Sequence, residues 1–241
     1  MHTSTSIEVG TADLRAALAA VRVHACTEKD LPDIHRIRLA IGPENVTVTA
    51  TDRFTAGLAI VSVWTGLGGE PSCTVDLLPS DAGKILSIFP AGKESGDEPE
   101  YRLRLDIGDE HVIVTDCSGL IDGRALQVPR LPTSDGGLSS IPASIAGHHD
   151  SASTMLADMS VGGEMLARFK AAAAAYKQPL EVEAHAAGRA LLIRCGESFL
   201  GLLMPRSDSE ETRARAREWA AAWNRRLPEI VAAAKAEGCE Q

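Results

Sequence analysis

The residues of this chain whose types could do chemistry do not form a catalytic arrangement. Three acidic residues, Asp52, Asp76 and Asp116, are not spaced as a catalytic pair. Four further histidines stand alone in the sequence: His24, His35, His111 and His185. There is no GxSxG, phosphate-binding loop or HExxH motif. The sequence therefore predicts a protein that is not an enzyme and that uses no cofactor.

Cysteine and histidine spacing gives no sign of a metal site. The five cysteines are scattered, odd in number and without a CxxC pair, which favours neither a zinc site nor a disulfide framework. The adjacent pair His148 and His149 has no companion ligand nearby in the sequence. The sequence around the pair, residues 133–153, is rich in Ser, Gly and Pro and predicts a solvated linker with little structure of its own.

Composition limits the classes of function. The chain has 241 residues, 44% of them hydrophobic, and a formal net charge of −9. That charge excludes a protein that coats nucleic acid over its whole surface, but it permits a locally basic face. The N-terminus lacks the pattern of a signal peptide. No apolar stretch approaches the roughly 20 residues needed to span a bilayer. We expect a cytoplasmic protein.

The most regular stretch runs from Val46 to Val63. Val46, Val48 and Ala50 alternate with threonines, the period of a half-buried strand. Residues 52–55 interrupt the alternation, and residues 58–63 resume it. The stretch predicts two antiparallel strands joined by a charged, aromatic corner.

An internal repeat organises the chain around this stretch. Residues 7–63 predict the order strand, helix and three strands, with the helix at 12–25. Residues 72–126 repeat the order, with a helix at 79–89. Residues 155–204 predict a third unit, with a strand at 155–161 and a helix at 162–177. A polar linker at 133–153 separates the second unit from the third.

The corner Ala50-Thr51-Asp52-Arg53-Phe54 resembles a segment found in each domain of the bacterial sliding clamp, the beta subunit of DNA polymerase III. Further segments resemble that family in the same order: Cys73–Pro79, Leu120–Arg124 with Pro132, Gly163–Lys170 and Phe199–Arg206. Together they cover about Ser6 to Arg206.

The resemblance implies an α+β DNA-clamp (processivity) fold built of βαβββ repeats. Residues 6–132 would form one clamp-type domain of two units, 133–153 a linker, and 154–206 a half domain. Residues 207–241 would add a C-terminal amphipathic helix that the family lacks. The chain departs from the family because the first half of its second domain is missing or reduced to the linker.

The same resemblance implies a processivity factor that contacts duplex DNA non-specifically through helix-borne cations. The matching residues are Arg15, Arg22, Lys84, Arg168, Lys170 and Lys177. Such contacts are independent of sequence and weakened by salt. The alternative is that these cations lie on ordinary solvated helix faces.

The family also binds short peptide motifs of DNA polymerases and repair proteins in an apolar groove. Carried over residue by residue, the groove would comprise Thr51, Arg53, Phe54, Leu58, Pro132, Leu203, Met204 and Pro205. Apolar side chains with a few polar groups suit the anchoring of a peptide. The alternative is that Leu58, Leu203 and Met204 are core residues of strands.

The tail after Arg206 carries two tryptophans one helical turn apart, Trp219 and Trp223. Because exposed tryptophans favour association, we expect the tail to pack on its own chain or against a second copy. Pro228 is expected to interrupt the tail helix. We expect a homo-oligomer. The alternative is a clamp-like module that binds proteins or itself without encircling DNA.

Overall fold

A computed structural model describes residues 5–66, 73–94, 99–134, 136–154, 159–186 and 188–238. The chain divides into two compact units. The first contains every described residue up to Pro205 except 159–160, and the second contains residues 159–160 with the tail from Arg206.

The first two βαβββ units have the element order that the sequence predicts. Their elements are β1 (Thr5–Gly10), α1 (Thr11–Arg22), β2 (Ile37–Ile41), β3 (Asn45–Thr51), β4 (Thr55–Gly66), β5 (Cys73–Leu77), α2 (Pro79–Ile88), β6 (Arg102–Ile107), β7 (His111–Asp116) and β8 (Ala125–Pro129). The rest of this compact unit comprises a 3-10 helix (Gly137–Ser140), α3 (Ile141–His149), β9 (Ser153–Thr154), α4 (Gly163–Arg168), α5 (Lys170–Tyr176), β10 (Glu181–His185), β11 (Leu191–Cys195) and β12 (Phe199–Leu203).

One antiparallel sheet of twelve strands runs through the described part of this unit, and β4 is its centre. One edge of β4 pairs with β3, which continues through β2 to β5. Its other edge is shared, because residues 55–59 pair with β12 while residues 63–66 pair with β1. The first and third repeats are therefore joined by continuous main-chain hydrogen bonding through β4.

The helices of the three repeats lie next to one another on this sheet. α1 contacts both α2 and α5, and it also contacts β3 and β4. The predicted single helix at 162–177 is instead two helices, α4 and α5, separated at Phe169. The Phe169 side chain is completely buried, with its ring centroid 4.7 Å from that of His24. The break thus lies where a large ring enters the core.

Two glycines allow this close approach of helices to the sheet. Gly57 in β4 and Gly201 in β12 are cross-strand partners. A Cβ on Gly201 would lie 2.5 Å from the Phe169 ring, and one on Gly57 would lie 2.6 Å from the His24 ring. Both rings rest on backbone that only glycine leaves uncovered.

Residues 133–153 are not an unstructured linker, and this prediction was wrong. They contain α3, which contacts β4, β11 and β12. Ile141 and Ile145 of α3 pack there with three leucines of these strands. The leucines, Leu58, Leu192 and Leu202, all have even numbers. Odd-numbered positions of the same strands belong to the core under α1 and α5. Since successive strand residues point to opposite faces, α3 covers the face of the sheet opposite α1 and α5.

Three strands have limits that the sequence pattern does not show. The alternation of apolar residues starts at Ile34, but β2 begins only at Ile37, because residues 31–35 form turns closed by hydrogen bonds to Glu28 and Leu31. The last strand of the second unit is β8, because the Asp116 carboxylate accepts hydrogen bonds from the Ser118 N–H and hydroxyl and ends β7 in a turn. Of the strand at 155–161, residues 155–158 lie outside the described residues, and 159–161 are not a strand.

The second compact unit is dominated by α6 (Glu210–Gly238), which continues through Pro228. The predicted interruption was therefore wrong. Pro228 lacks a backbone N–H, so it removes one hydrogen-bond donor from this helix of 29 residues without ending it. In the part of the chain that the structure describes, no helix combines the length and apolar character needed to cross a membrane.

Candidate functional site

The corner between β3 and β4 is a tightly hydrogen-bonded turn. The Asp52 carboxylate accepts hydrogen bonds from the N–H groups of Phe54 and Thr55, at 3.0 and 2.7 Å. The Thr51 hydroxyl donates to the Thr55 carbonyl at 2.7 Å. Arg53 adopts φ +78°, a left-handed conformation that is costly for a residue with a side chain. The turn leaves the side chains of Arg53 and Phe54 exposed.

Contacts from the third repeat hold the corner in place. Arg168, at the end of α4, is paired with the Asp52 carboxylate and donates to the Thr55 hydroxyl at 2.9 Å. The Met204 N–H donates to the Phe54 carbonyl at 2.8 Å. Burial raises the pKa of Asp52, but hydrogen bonds from Thr55 and Arg168 outweigh it, and the pKa is lowered. The corner and the residue after β12 thus form one rigid rim.

A cavity of about 410 Å³ opens beside this corner. Its lining is mostly apolar and includes Phe54, Ala56, Ile141, Ala190, Leu202 and Met204. Polar groups surround this lining: Asp33, Thr51, Arg53, Ser144 and His148. Phe54 is 59% exposed and Met204 is 44% exposed, so two large apolar side chains border the opening without being covered.

The cavity brings together four of the eight predicted groove residues: Thr51, Arg53, Phe54 and Met204. Leu58 is buried under α3, and Leu203 is completely buried in the core on the opposite face. For these two leucines the structure favours the alternative interpretation, that they are core strand residues. The strand alternation explains the split, because Leu203 and Met204 must point in different directions.

The two prolines are placed differently from the prediction. Pro132 lines a separate, more open cavity with Glu110 and Arg130. Its carbonyl accepts a hydrogen bond of 2.7 Å from Arg36. Pro205 directly follows Met204 and is half-buried, but it does not line the corner cavity.

Sequence reasoning missed the wall that α3 contributes through Ile141, Ser144 and His148. The spacing of Ile141 and Ile145, one turn apart, was the available signal in a stretch otherwise typical of a linker. His148 is fixed within α3, where Nδ1 lies 2.8 Å from the Ser144 carbonyl. The histidine pair therefore lies in the last turn of a helix that lines the cavity.

A buried charge cluster supports the segment that leads to α3. Asp76, fully buried in β5, accepts hydrogen bonds from Arg36 at 3.0 Å and from Arg38 at 2.8 and 2.9 Å. The two arginines also donate to the carbonyls of Pro132 and Ser134, at 2.7 and 2.5 Å. The cluster therefore attaches residues 132–134, which precede the 3-10 helix and α3, to the sheet.

The six predicted DNA-contacting cations fall into two groups. Arg15 donates to the carbonyls of Leu86 and Phe89 at the end of α2, and Arg168 is paired with Asp52, so both have roles within the fold. Four are exposed: Arg22, Lys84, Lys170 and Lys177. Lys84 pairs with Asp81 at 2.7 Å, but its side chain remains 60% exposed.

No metal-binding geometry accompanies these features. Within the described ranges, no group of three or more His, Cys, Asp or Glu side chains is arranged to hold an ion. The four cysteines that the structure describes, Cys26, Cys73, Cys117 and Cys195, are unpaired.

No protein-family model and no curated protein matches this sequence. Solved structures do match the fold. The DNA polymerase sliding clamp of Bacillus subtilis aligns with a TM-score of 0.60 and 13% identity, over 85% of this chain and 64% of that one. The DNA polymerase III beta chain of Streptococcus pneumoniae gives 0.60 and 9%, over 86% and 66%. The beta subunit of Thermotoga maritima gives 0.57 and 10%, over 85% and 65%.

This chain has the sliding-clamp fold. The α+β clamp architecture predicted from the sequence is thereby confirmed. The chain spans slightly less than two thirds of the length of these sliding clamps. At such low identity the likeness establishes the fold, and the position of the corner cavity within that fold provides the starting point for a functional proposal.

Proposed function

We propose that this protein is a clamp-type processivity factor that recruits DNA polymerase or repair proteins through a short peptide segment bound in the corner cavity. The observation that carries the proposal is the apolar cavity of about 410 Å³ with Phe54 and Met204 exposed at its opening. The protein would act by holding partners together, without catalysis and in the cytoplasm.

The chemistry of the cavity suits an apolar peptide anchor with a polar flank. Burial of one or two large side chains against Phe54, Ile141 and Met204 would supply most of the affinity, because a few buried anchors dominate such interfaces. Arg53, held outward by the turn, would select a peptide carbonyl or carboxylate beside the anchor. The rigid rim means that little ordering entropy is lost on binding.

Met204→Glu is expected to weaken binding of a sliding-clamp-binding peptide from a DNA polymerase by about 2 kcal/mol or more, roughly thirtyfold. The reason is that peptide burial would leave a carboxylate in an apolar cavity. Fluorescence polarisation of the labelled peptide measures the change. Leu120→Glu is the matched control, since Leu120 is fully exposed and does not line the cavity. Equal affinity of both variants would contradict the proposal.

In the proposed role, α1, α2 and α5 would face duplex DNA within a homo-oligomer. Their exposed cations Arg22, Lys84, Lys170 and Lys177 would make the phosphate contacts. Arg15 and Arg168 contribute less to this proposal, because their guanidinium groups already donate to protein acceptors. DNA binding would be weak, since four cations neutralise few phosphates in a chain of net charge −9.

Reversing Lys170 and Lys177 to glutamate is expected to weaken binding to a duplex of any sequence and to flatten its salt dependence. Each lost phosphate contact lowers the slope of log K against log salt by about 0.9. Titration of a labelled duplex at several salt concentrations measures this slope. Lys29→Glu, on an exposed loop outside the three helices, is the control. If the double variant has the same slope of log K against log salt as the wild-type chain, these lysines do not contact DNA.

The second candidate is a module of clamp fold that binds proteins without encircling DNA. The structural roles of Arg15 and Arg168 favour it, because they remove two of six cations from the proposed DNA face. The two candidates differ in assembly. Sedimentation with and without a nicked circular duplex distinguishes them, since a closed ring stays on circular DNA after salt is raised and an open module dissociates.

A further inference from the structure

A second cavity lies where the ends of α1 and α2 meet the loop between β7 and β8. Its volume is about 360 Å³. Thr11, the first residue of α1, and Ile88, the last residue of α2, both line it. Asp116 and Arg124 line it from the two ends of the loop. Among the described residues, none of its lining is shared with the corner cavity, so the proposed function makes no use of it.

Backbone hydrogen bonds hold the two charged residues of this loop opposite each other. The Asp116 N–H donates to the Arg124 carbonyl at 2.9 Å, and the Gly123 N–H donates to the Asp116 carbonyl at 2.7 Å. Thr115 and Ala125, one position closer to the sheet, are a cross-strand pair of β7 and β8. The backbone positions of the acid and the base are therefore fixed by the sheet and need no ordering by a ligand.

Both charges are available to a ligand. Oδ1 of Asp116 accepts hydrogen bonds from the Ser118 N–H and hydroxyl, at 3.1 and 2.6 Å, whereas Oδ2 accepts none from the described residues. A Cβ on Gly123 would lie 3.1 Å from Oδ2, so the glycine leaves this oxygen without a covering side chain. Arg124 is exposed and forms no ion pair with Asp116 or with any other described residue.

The two helix ends add partial charges of both signs. The start of a helix carries a partial positive charge and its end a partial negative charge, here at Thr11 of α1 and Ile88 of α2. Thr11 is 3% exposed, and its hydroxyl has no hydrogen-bond partner among the described residues. A ligand in the cavity can supply that partner. Asp13 in the first turn of α1 weakens the positive end without lining the cavity, so Arg124 is the main positive group.

The remaining lining of the cavity is mostly apolar. It comes from the end of α2 and the residues after it, and from β6 and the residue before it: Ile88, Phe89, Pro90, Tyr101 and Leu103. Pro90 is exposed and Tyr101 is 38% exposed, so both are open to contact from solvent. The cavity therefore combines one negative group, one positive group and an apolar wall.

We propose that this cavity binds a free α-amino acid with an apolar side chain. Asp116 accepts hydrogen bonds from the ammonium group, and Arg124 donates to the carboxylate, both of them charge-assisted contacts. The Thr11 hydroxyl bonds a polar atom of the ligand, whose side chain packs on Ile88 and Tyr101. A ligand with only one of the two charges leaves the opposite group of the protein without a partner, which selects for the zwitterion. The volume lies within the range of about 300–1,000 Å³ that is common for ligand pockets.

Isothermal titration calorimetry of the full chain with leucine, methionine and phenylalanine tests the proposal. At least one of them is expected to bind with a dissociation constant of about 1 mM or below, as suits a ligand of this size with two charge-assisted contacts. N-acetylation of that ligand removes its positive charge, and amidation removes its negative charge. Each change is expected to weaken binding roughly tenfold or more. If none of the three amino acids binds, the proposal is wrong.

Two variants assign the charges to their partners. Asp116→Asn keeps an acceptor for the Ser118 N–H but removes the negative charge, and Arg124→Gln removes the positive charge. Each is expected to weaken binding of the free amino acid roughly tenfold. In Asp116→Asn, N-acetylation should cost little further affinity while amidation still does, and in Arg124→Gln the two derivatives should exchange these roles. A purely structural role would weaken all three ligands by the same factor.

The matched control is Asp122→Asn, in the same loop. The Asp122 side chain is 53% exposed and does not line the cavity, so this variant is expected to keep the wild-type affinity. Unchanged affinity in Arg124→Gln overturns the proposal, and this variant is expected to fold because its side chain contacts no described partner. An amide that binds as tightly as the free amino acid also overturns it, since the cavity would then take the N-terminus of a peptide. An equally tight N-acetyl derivative overturns it in favour of a C-terminus.

Discussion

Asp76→Asn is expected to lower the free energy of unfolding by about 3–5 kcal/mol. Asp76 is fully buried and is the ion-pair partner of both Arg36 and Arg38, whose side chains are 8% exposed. Losing the carboxylate charge would leave two buried guanidinium groups facing a neutral amide, which cannot replace charge-assisted hydrogen bonds. Urea denaturation followed by circular dichroism measures the change.

The matched control for Asp76 is Asp122→Asn. Asp122 also pairs with an arginine, Arg104, at 2.5 Å, but its side chain is 53% exposed. Water replaces the lost interaction there, so we expect a much smaller loss of stability. If both variants lose the same amount, burial of the Asp76 cluster is not what stabilises the fold.

The Asp76→Asn variant is also expected to loosen α3, the helix that lines one side of the cavity. Arg36 and Arg38 hold the carbonyls of Pro132 and Ser134, which precede α3. Loosening the cluster should therefore increase hydrogen exchange in residues 141–149 before the main sheet exchanges. Faster exchange of α3 with unchanged exchange of β3 would show that the cluster positions the cavity wall.

Acidification from pH 7.5 to pH 5 is expected to cost the protein about 2 kcal/mol of stability through His24 alone. Burial lowers the pKa of His24 to about 3, and the nearby charge of Arg168 adds to the effect while Asp52 opposes it. The unfolded chain takes up a proton near pH 6.5, whereas the folded chain resists it down to about pH 3. The contribution of His24 to stability is therefore constant well above pH 6.5 and becomes unfavourable as pH drops through that value.

His24→Leu is expected to remove most of this loss of stability between pH 7.5 and pH 5. The ring of His24 packs against those of Phe169 and Phe199, and neither of its nitrogens has a hydrogen-bond partner among the described residues. An apolar side chain thus loses no hydrogen bond there. Asp52 contributes acid sensitivity only below its ordinary pKa, since that pKa is lowered. Denaturation midpoints at pH 5, 6 and 7.5 measure the slope.

His185 provides a control of opposite sign. Its hydrogen bonds to the Ser151 carbonyl and to Glu183 raise its pKa. The stabilisation it provides is complete below pH 6.5 and is lost as pH rises through the raised pKa. His185→Gln should therefore reduce stability more at pH 6 than at pH 8, whereas His24→Leu acts in acid. The same pH profile for both variants would contradict the assignment to His24.

Local sequence patterns determined the repeating units and their order. The alternation of Val46, Val48 and Ala50 predicted β3, and the corner at residues 52–55 is a turn, because side-chain periods and turn residues act within a few positions of the chain. The resemblance in the corner and in Phe199–Arg206 predicted the clamp fold that the structural comparisons support.

Only the tertiary structure decided which of the predicted residues meet. Leu203 and Met204 are adjacent in sequence, yet one is in the core and the other borders the cavity, because strand pairing with β4 sets the face of each residue. Arg15 and Arg168 look like free cations in sequence, but their acceptors lie 71 or more positions away. α3 was missed because its stability comes from packing on the far face of the sheet, and a nine-residue helix carries little signal of its own.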